Sequence, residues 1–501
     1  METRHAASPS LLLQAVTLAL LSVALSSLTI GRDMPRLAHE GKHAQIAREM
    51  AASGNLSAPT LLGRPYREKP PVFYWSSAFA FRLSGKASLA IARSVNVVYA
   101  AAGVVALFLL GRRLLGPGAA FLAGLLLVFS PAWIREAGAA RTDMPMAALS
   151  VVGAAFLLGA MRVEASLVRR TGLSIAAGAA LALSLLAKGP FALVVVPLAL
   201  AIVAGMERKS APRLRAWPIL AAVATALAFS GAWALSVQAT GDGAYVRELL
   251  LGEGLAKAWD KYPEPPWYYL GVFPPRFLPW SLLLPLSIVE LVRSWRDPDP
   301  QRRRAVRVAA LLPAVGLLAL SCMSAKREQY LLPVYPFAAL HVAGALGPWL
   351  RGEGWLPEWF GRRASAAIWR RRVVPAFAGA LVLIAVSLFV WRGAGLFVRQ
   401  DMNRPLLEWI RSHAPAHARL VAYQVQPEAF AIEWPTIGSF AESESDLRAA
   451  VEAGVEFVLS KRVLVRALAP ALRARFERMA GQMEERGEDP MEIYRVVRSQ
   501  P

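Results

Sequence analysis

The sequence is 501 residues long, 55% hydrophobic and only 18% charged, with a mean hydropathy of +0.39. A soluble domain carries about 45–50% apolar and about 25% charged residues, so the composition excludes both an ordinary soluble protein and a disordered chain. A single cysteine, Cys322, excludes an internal disulfide framework and any cysteine-built zinc or iron–sulfur centre. The net charge of +21 raises the question of nucleic acid. Residues 393–501 hold 14 Lys and Arg against 15 Asp and Glu, so the excess lies in residues 1–392, in short clusters between apolar runs. A nucleic-acid binder gathers its basic residues on one exposed face. No nucleic-acid partner is expected here.

Apolar runs long enough to cross a bilayer lie near 10–30, 88–110, 117–134, 145–161, 173–187, 189–206, 218–238, 270–292, 306–323, 330–350 and 373–392. Only Lys188-Gly189-Pro190 separates the fifth from the sixth. Residues 70–81 are apolar but too short to cross, which suits an interfacial segment. The expected fold is an α-helical polytopic membrane protein of eleven transmembrane helices, with up to thirteen allowed. One alternating set of loops, 112–113, 162–170, 208–215, 293–307 and 351–372, carries 21 Lys and Arg and few acids. The other set, 31–69, 134–144, 239–266 and 324–329, carries 14 Lys and Arg with 12 Asp and Glu. Cytoplasmic loops are the Lys/Arg-rich ones. This places the amino terminus inside, behind an uncleaved anchor at 11–30, and puts the first loop and the tail outside.

The tail, 393–501, reads as a small extracytoplasmic α/β soluble domain. Helices are expected at 404–413, 443–453 and 466–480, and strands at 418–424, 455–460 and 491–497. It contains no phosphate loop, metal spacing or nucleophile motif, so an accessory role is expected of it.

The first external loop, 31–70, concentrates His39, Glu40, Lys42, His43, Arg48, Glu49, Glu68 and Lys69. Ionisable groups at a bilayer centre cost about 2.5–3.5 kcal/mol each, so this cluster belongs at or above the surface. Residues 42–53 have helical spacing, with Ile46 and Met50 on one side and Arg48 and Glu49 on another, and Gly54 supplies a stop. An extended turn follows around Gly63-Arg64-Pro65. His39-Glu40-Gly41-Lys42-His43 also satisfies the H-E-x-x-H zinc pattern, which leaves a membrane metalloprotease as one alternative function. Gly41 weakens the helix that pattern needs. A transporter is another alternative, although transporters place their polar sites mid-membrane on broken, repeated helices. Lys69, Lys326 and Arg327 stand where external loops meet spans. Glu40 and Asp143 are the external carboxylates suited to handle a proton.

From Pro35 to Trp75 the loop resembles the first periplasmic loop of the polyprenyl-phosphate-dependent GT-C glycosyltransferases. That group includes the protein O-mannosyltransferases and the lipid A aminoarabinose transferase. Its pattern is matched here by His39-Glu40-Gly41-Lys42-His43-Ala44-Gln45-Ile46-Ala47-Arg48-Glu49-Met50 and then Glu68-Lys69-Pro70-Pro71. Arg141-Thr142-Asp143-Met144, Lys188-Gly189-Pro190, Pro266-Trp267-Tyr268-Tyr269-Leu270 and Phe277-Leu278-Pro279-Trp280-Ser281 follow in order. The last match is Lys326-Arg327 with Tyr330-Leu331-Leu332-Pro333 and Tyr335-Pro336.

The resemblance implies a GT-C membrane domain over 1–392 that moves a sugar from a polyprenyl-phosphate carrier to a glycolipid or protein acceptor at the periplasmic face of a bacterial inner membrane. It implies catalytic roles for Glu40, Asp143 and His39, the last standing where the family has an acidic residue. It implies donor binding by Glu68 and Lys69 with Lys42, His43, Arg141, Lys257, Lys326, Arg327 and Tyr330. The aminoarabinose transferase holds a metal between the Glu of its Glu-Lys-Pro-Pro and a later His. Here Gly254 stands at that His position within Gly252–Lys257, so no bound metal or other cofactor is expected.

Overall fold

A computed structural model describes residues 9–28, 30, 38–162, 166–207, 216–240, 242–249, 251, 263–350, 404–413, 419–425, 437–481 and 490–497, with isolated helical positions at 376, 379, 383, 386 and 387. The membrane body begins with α1 (Pro9–Ser27) and the surface helix α2 (Ala38–Ser53). A short hairpin, β1 (Thr60–Leu61) and β2 (Arg64–Pro65), leads to α3 (Val72–Ser84). Then come α4 (Leu89–Leu115), α5 (Pro117–Val128), α6 (Pro131–Ala137), α7 (Asp143–Met161), α8 (Leu167–Leu185), α9 (Phe191–Glu207), α10 (Trp217–Ala239) and α11 (Gly243–Arg247). The body closes with α12 (Tyr268–Arg276), α13 (Leu284–Ser294), α14 (Pro300–Ser321) and α15 (Tyr335–Leu350).

Local chemistry sets these boundaries. Ser88 caps α4 by accepting the Ile91 N–H at 3.3 Å, and Asp299 caps α14 by accepting from Gln301 and Arg302 at 3.0 and 3.3 Å. Gly54 ends α2 in the left-handed region, φ +75°, with its N–H on the Met50 carbonyl. Ile46 and Met50 of α2 are buried as their spacing predicts, and the consecutive residues His43–Ala47 are all buried too, so the middle of the helix is covered on every face.

Among the described residues six helices are long and apolar enough to cross a membrane, or eight if two bent pairs each count as one span. Each apolar run from 10–30 to 330–350 contains helix, and the run at 373–392 lies outside the described residues apart from isolated positions. Two runs differ from the expectation of a straight span. The pair α5–α6 is bent by 64°, and the 270–292 run is bent by 110° between Arg276 and Trp280. Pro131 opens the second half of the first pair, and Pro274, Pro275 and Pro279 crowd the second bend, where each removes an N–H from the helical ladder.

Close helix approach rests on small residues, the usual device where lipid supplies no hydrophobic drive between helices. A Cβ on Gly103 would meet Ala148 at 3.2 Å, and one on Gly178 would meet the Ala222 carbonyl oxygen and Thr225 at 2.5 Å. Helix α7 runs through the centre, 83% of its span buried against protein, whereas α1 is peripheral at 17%. The site is therefore built on one of the two most enclosed spans, Glu328–Trp349 being the other at 83%.

The tail folds as α16 (Arg404–His413), β3 (Leu420–Tyr423), β4 (Ile437–Ala441), α17 (Glu444–Glu452), β5 (Phe457–Lys461), α18 (Arg462–Arg466), α19 (Pro470–Arg473), β6 (Phe476–Gly481) and β7 (Met491–Val496). These strands form a five-stranded mixed sheet in the order β4-β3-β5-β7-β6. One expected element is overturned. Residues 466–480 give a short helix and then strand β6, which pairs antiparallel with β7, rather than one helix. Strand β4 has no counterpart in the pattern-based reading.

Gly178→Val should cost about 1–3 kcal/mol by overpacking against backbone and lower the thermal midpoint in detergent. Gly172→Ala, where a Cβ meets nothing within 4 Å, should leave it unchanged.

Candidate active site

Every loop with the more acidic balance gathers at one end of the bundle. The Val72 N–H meets the Leu186 carbonyl at 3.1 Å, which ties the return of the first loop to the turn between α8 and α9. Arg67 reaches Asp242 and Glu248 at 2.9 and 3.0 Å, and the Tyr245 hydroxyl donates to the Lys69 carbonyl at 2.7 Å. Arg303 and Arg307 hold the buried Glu207 at the opposite end.

At the centre of the site end stands Asp143, first residue of α7, its side chain 3% exposed. Lys188 binds one carboxylate oxygen, and Arg141 Nε lies 3.8 Å from the other. The Lys188 ammonium also sits 4.8 Å above the Tyr330 ring. Lys69 is in electrostatic reach of Asp143, Lys188 and Arg327, and His43 of Asp143. Burial pulls both Lys69 and Lys188 below the ordinary lysine range. Carboxylates oppose that pull, Glu68 and Asp143 on Lys69 and Asp143 on Lys188, and neighbouring cations add to it. The cations outnumber the carboxylate they surround, so an added anion would relieve their repulsion.

From Arg141 a charged chain continues across the surface. Its guanidinium meets Glu136 at 3.3 Å, Glu136 meets Arg135 at 3.0 Å, Arg135 meets Glu328 at 3.5 Å, and Glu328 pairs with Arg276. On the other flank Lys42 meets Glu68 at 3.2 Å and lies 4.9 Å over the Tyr66 ring, and Tyr66 donates to Glu68 at 3.4 Å. His43 Nδ1 is 2.9 Å from the Tyr74 hydroxyl, its ring packed beside Phe73 and Tyr74.

The structure thus brings Asp143, Arg141, Lys69, Arg327 and Tyr330 together, with Lys42, His43 and Glu68 alongside. Two candidates differ from expectation. Glu40 is wholly buried, accepting from Arg93 at 3.2 and 2.9 Å and from the Ala140 N–H at 2.8 Å. With both oxygens engaged it is a structural anchor, not a free base. Lys326 is 4% exposed and donates to the carbonyls of Glu264, at 2.8 Å, and Met323. It clamps a turn where a phosphate contact is expected. Lys257 and Gly254 lie outside the described residues, as does the side chain of His39. The members that sequence reasoning missed are Lys188, Glu136, Arg135, Glu328 and Arg276. Lys188 did leave a signal, as a lone cation between two apolar runs and as part of the Lys188-Gly189-Pro190 match, but no role was expected of it.

Among the described residues no group of three or more His, Cys, Asp or Glu converges to hold a metal. Glu68 is engaged by Lys42, and a cation beside it does not suit a metal ligand. Nor does the zinc-protease reading find support, since the Glu its motif needs as a base is locked to Arg93.

The chain is similar to known proteins in both sequence and fold. The profile of the family described as dolichyl-phosphate-mannose-protein mannosyltransferase matches residues 34–239. An undecaprenyl phosphate-α-4-amino-4-deoxy-L-arabinose arabinosyl transferase of Pseudomonas aeruginosa is 29% identical over 409 residues, covering 78% of this chain and 71% of its own. The Aeromonas salmonicida protein of the same name is 28% identical over 73% of this chain and 68% of its own. In fold, the crystal structure of ArnT from Cupriavidus metallidurans bound to undecaprenyl phosphate superposes with a TM-score of 0.74 at 20% identity, over 99% of both chains. In sequence and in fold the chain is similar to the GT-C glycosyltransferases. The oligosaccharyltransferase of Archaeoglobus fulgidus shares the fold at a TM-score of 0.59 and 12% identity, over 97% of this chain and 75% of its own. None of these likenesses supports the transporter alternative.

Arg93→Met should destabilise the protein by about 3–5 kcal/mol, because it strands a buried carboxylate. Glu40→Leu combined with Arg93→Met should recover most of that loss in detergent thermal unfolding. Simply additive losses would show that the two side chains do not act as a pair.

Proposed function

We propose that this glycosyltransferase takes a sugar from a polyprenyl-phosphate carrier and passes it to a glycolipid acceptor at the outer face of the bacterial inner membrane. The observation that carries the reading is the cluster of cations, Lys69, Arg141, Lys188 and Arg327, around the buried carboxylate of Asp143. A lipid phosphate is the anion whose depth suits that site, since its chain stays in the bilayer while its charge rests at the surface. The curated relatives carry the name of an undecaprenyl-phosphate aminoarabinose transferase, which favours an undecaprenyl carrier, an amino-pentose and a lipid A acceptor.

In this reading Lys69 and Arg327 receive the phosphate, the leaving group when the bond to the anomeric carbon breaks. Phosphate arrival competes with Asp143 for Lys188 and frees the carboxylate to orient the acceptor hydroxyl and take its proton. Arg141, tethered by Glu136, keeps Asp143 ionised. Lys42 holds Glu68 beside the loop, so that Lys69 rather than its neighbour faces the site. Residues 1–392 form the membrane transferase domain and 393–501 the accessory domain, both termini following the Lys/Arg asymmetry: the amino terminus cytoplasmic, the tail periplasmic.

Lys69→Ala should reduce transfer from an undecaprenyl-phosphate-linked sugar at least about 100-fold, losing a charge-assisted phosphate contact of about 1.5–3 kcal/mol together with its alignment. Lys69→Arg should recover part, since a planar fork presents its charge differently. Asp143→Asn keeps shape but cannot accept the proton, and should also fall at least about 100-fold. Near-normal turnover in both Lys69→Ala and Asp143→Asn, measured with purified protein, would place the site elsewhere.

Because burial lowers the Lys69 pKa, its charge is lost at lower pH than that of an ordinary lysine. Carrier affinity should therefore weaken as pH rises through the alkaline range. Lys69→Arg should hold its affinity to higher pH, and identical pH profiles for the two proteins would contradict a charge role for Lys69.

A further inference from the structure

The hairpin β1–β2 stands four residues before Lys69 and reaches away from the membrane body into the C-terminal domain. Its corner is Leu62 and Gly63, both left-handed, at φ +53° and +75°. Two such residues make the tight turn whose twist suits a two-residue hairpin. Glycine meets that geometry without strain, but a leucine does not. Beneath the corner, the Glu49 carboxylate accepts from the Thr60 hydroxyl at 2.6 Å, the Leu62 N–H at 2.6 Å and the Gly63 N–H at 3.3 Å. The backbone is thus held by the membrane body, and the Leu62 side chain is left to make a different contact. It packs against the apolar cluster of Leu406, Leu420, Phe457, Leu459 and Ile493 in the C-terminal domain.

A second tie, Arg64 to Glu442 at 3.8 Å, is exposed on both sides and contributes little. The apolar contact is the substantial one. From it the chain runs to the site with little slack. The Tyr66 N–H bonds the Pro59 carbonyl at 2.9 Å, Arg67 is fastened to Asp242 and Glu248, and the Lys69 carbonyl receives Tyr245.

We propose that the C-terminal α/β domain is a positioning element for the carrier-phosphate loop, acting through Leu62 as a plug seated in its core. The role rests on the reading of Lys69 as a phosphate residue given above. With the plug seated, the loop from 60 to 69 is fixed at both ends and Lys69 faces Asp143. Unseated, the hairpin samples other positions, and carrier affinity falls in proportion to the fraction of competent loops. Leu62 is a positioning residue that touches no substrate.

The test uses the full-length protein in detergent, with undecaprenyl phosphate as the probe and hydrogen exchange read by mass spectrometry. Leu62→Gly relaxes the backbone while removing the plug, and Leu62→Met keeps an apolar side chain of similar volume. Leu62→Gly should speed exchange across 60–69 about tenfold and weaken undecaprenyl phosphate binding about tenfold, equivalent to about 1.4 kcal/mol. Leu62→Met should stay within about twofold of the parent in both. Leu56→Ser, a change at an exposed neighbouring leucine, should move neither. Unchanged exchange in Leu62→Gly would show that there is no plug. Faster exchange with undiminished binding would show that the plug does not position the site. If the parent protein itself fails to bind undecaprenyl phosphate, the donor assignment is wrong, and the exchange contrast between Leu62→Gly and Leu62→Met alone decides whether the plug exists.

Discussion

The geometry of the site depends on one buried ion pair. Arg93 on α4 and Glu40 on α2 are both fully enclosed, with charged atoms 2.9 Å apart. Desolvating two charges is costly, and it is offset only when geometry and further hydrogen bonds are good. Here the remaining capacity is used: Glu40 accepts the Ala140 N–H, and Arg93 reaches the Ile30 carbonyl at 3.2 Å. One turn along the same face of α4, Asn96 donates to the carbonyls of Ala139 and Arg141 at 2.6 and 2.7 Å. A surface helix, a membrane helix and the turn before α7 are thereby locked together. The positions of Arg141 and Asp143 follow from that lock.

What the lock presents is an electrostatic imbalance at the end of the bundle. Asp143 is enclosed by more cations than it can neutralise, while carboxylates farther out, Glu136 and Glu328, alternate with Arg135 and Arg276. The outer chain is internally matched and stiffens the rim. The centre gathers several cations close together, and the mutual repulsion of Lys69, Lys188 and Arg141 is what a phosphate would relieve. Anion binding and the release of Asp143 are therefore two aspects of one rearrangement around Lys188.

Much of this was legible in the sequence because membrane helices follow hydropathy and because the ordered motifs fall on loops that must meet. The surface helix α2, its Gly54 stop and its buried Ile46 and Met50 follow from spacing alone. The same spacing makes Glu40 look like an available carboxylate, since a helical pattern shows which residues share a face but not that Arg93, 53 positions later, closes over it. Lys326 misled for a related reason. Its place at a loop edge is visible in sequence, whereas the carbonyls that capture it belong to Glu264, in a turn about sixty residues earlier, and to nearby Met323. Glu136, Arg135 and Arg276 sit beside prolines and apolar runs, where a charge looks incidental until its partner is placed. In the tail, the Ala-, Leu- and Arg-rich stretch 466–480 has helical propensity on both sides of Pro470, which breaks it. Pairing with β7 and the reach of Arg478 to Glu492, at 2.6 Å, turn its second half into a strand.

The central claim is that this chain consumes a polyprenyl-phosphate-linked sugar. Lipid extracts and lipid A from a strain lacking the gene, compared by mass spectrometry with those of its parent, address that claim most directly. The account predicts that the deletion strain accumulates an undecaprenyl-phosphate-linked sugar and loses the same sugar from a surface glycolipid, both reversed by the wild-type gene but not by one encoding Asp143→Asn. Indistinguishable carrier lipids and glycolipids in the two strains, under conditions in which the protein is made, would contradict it.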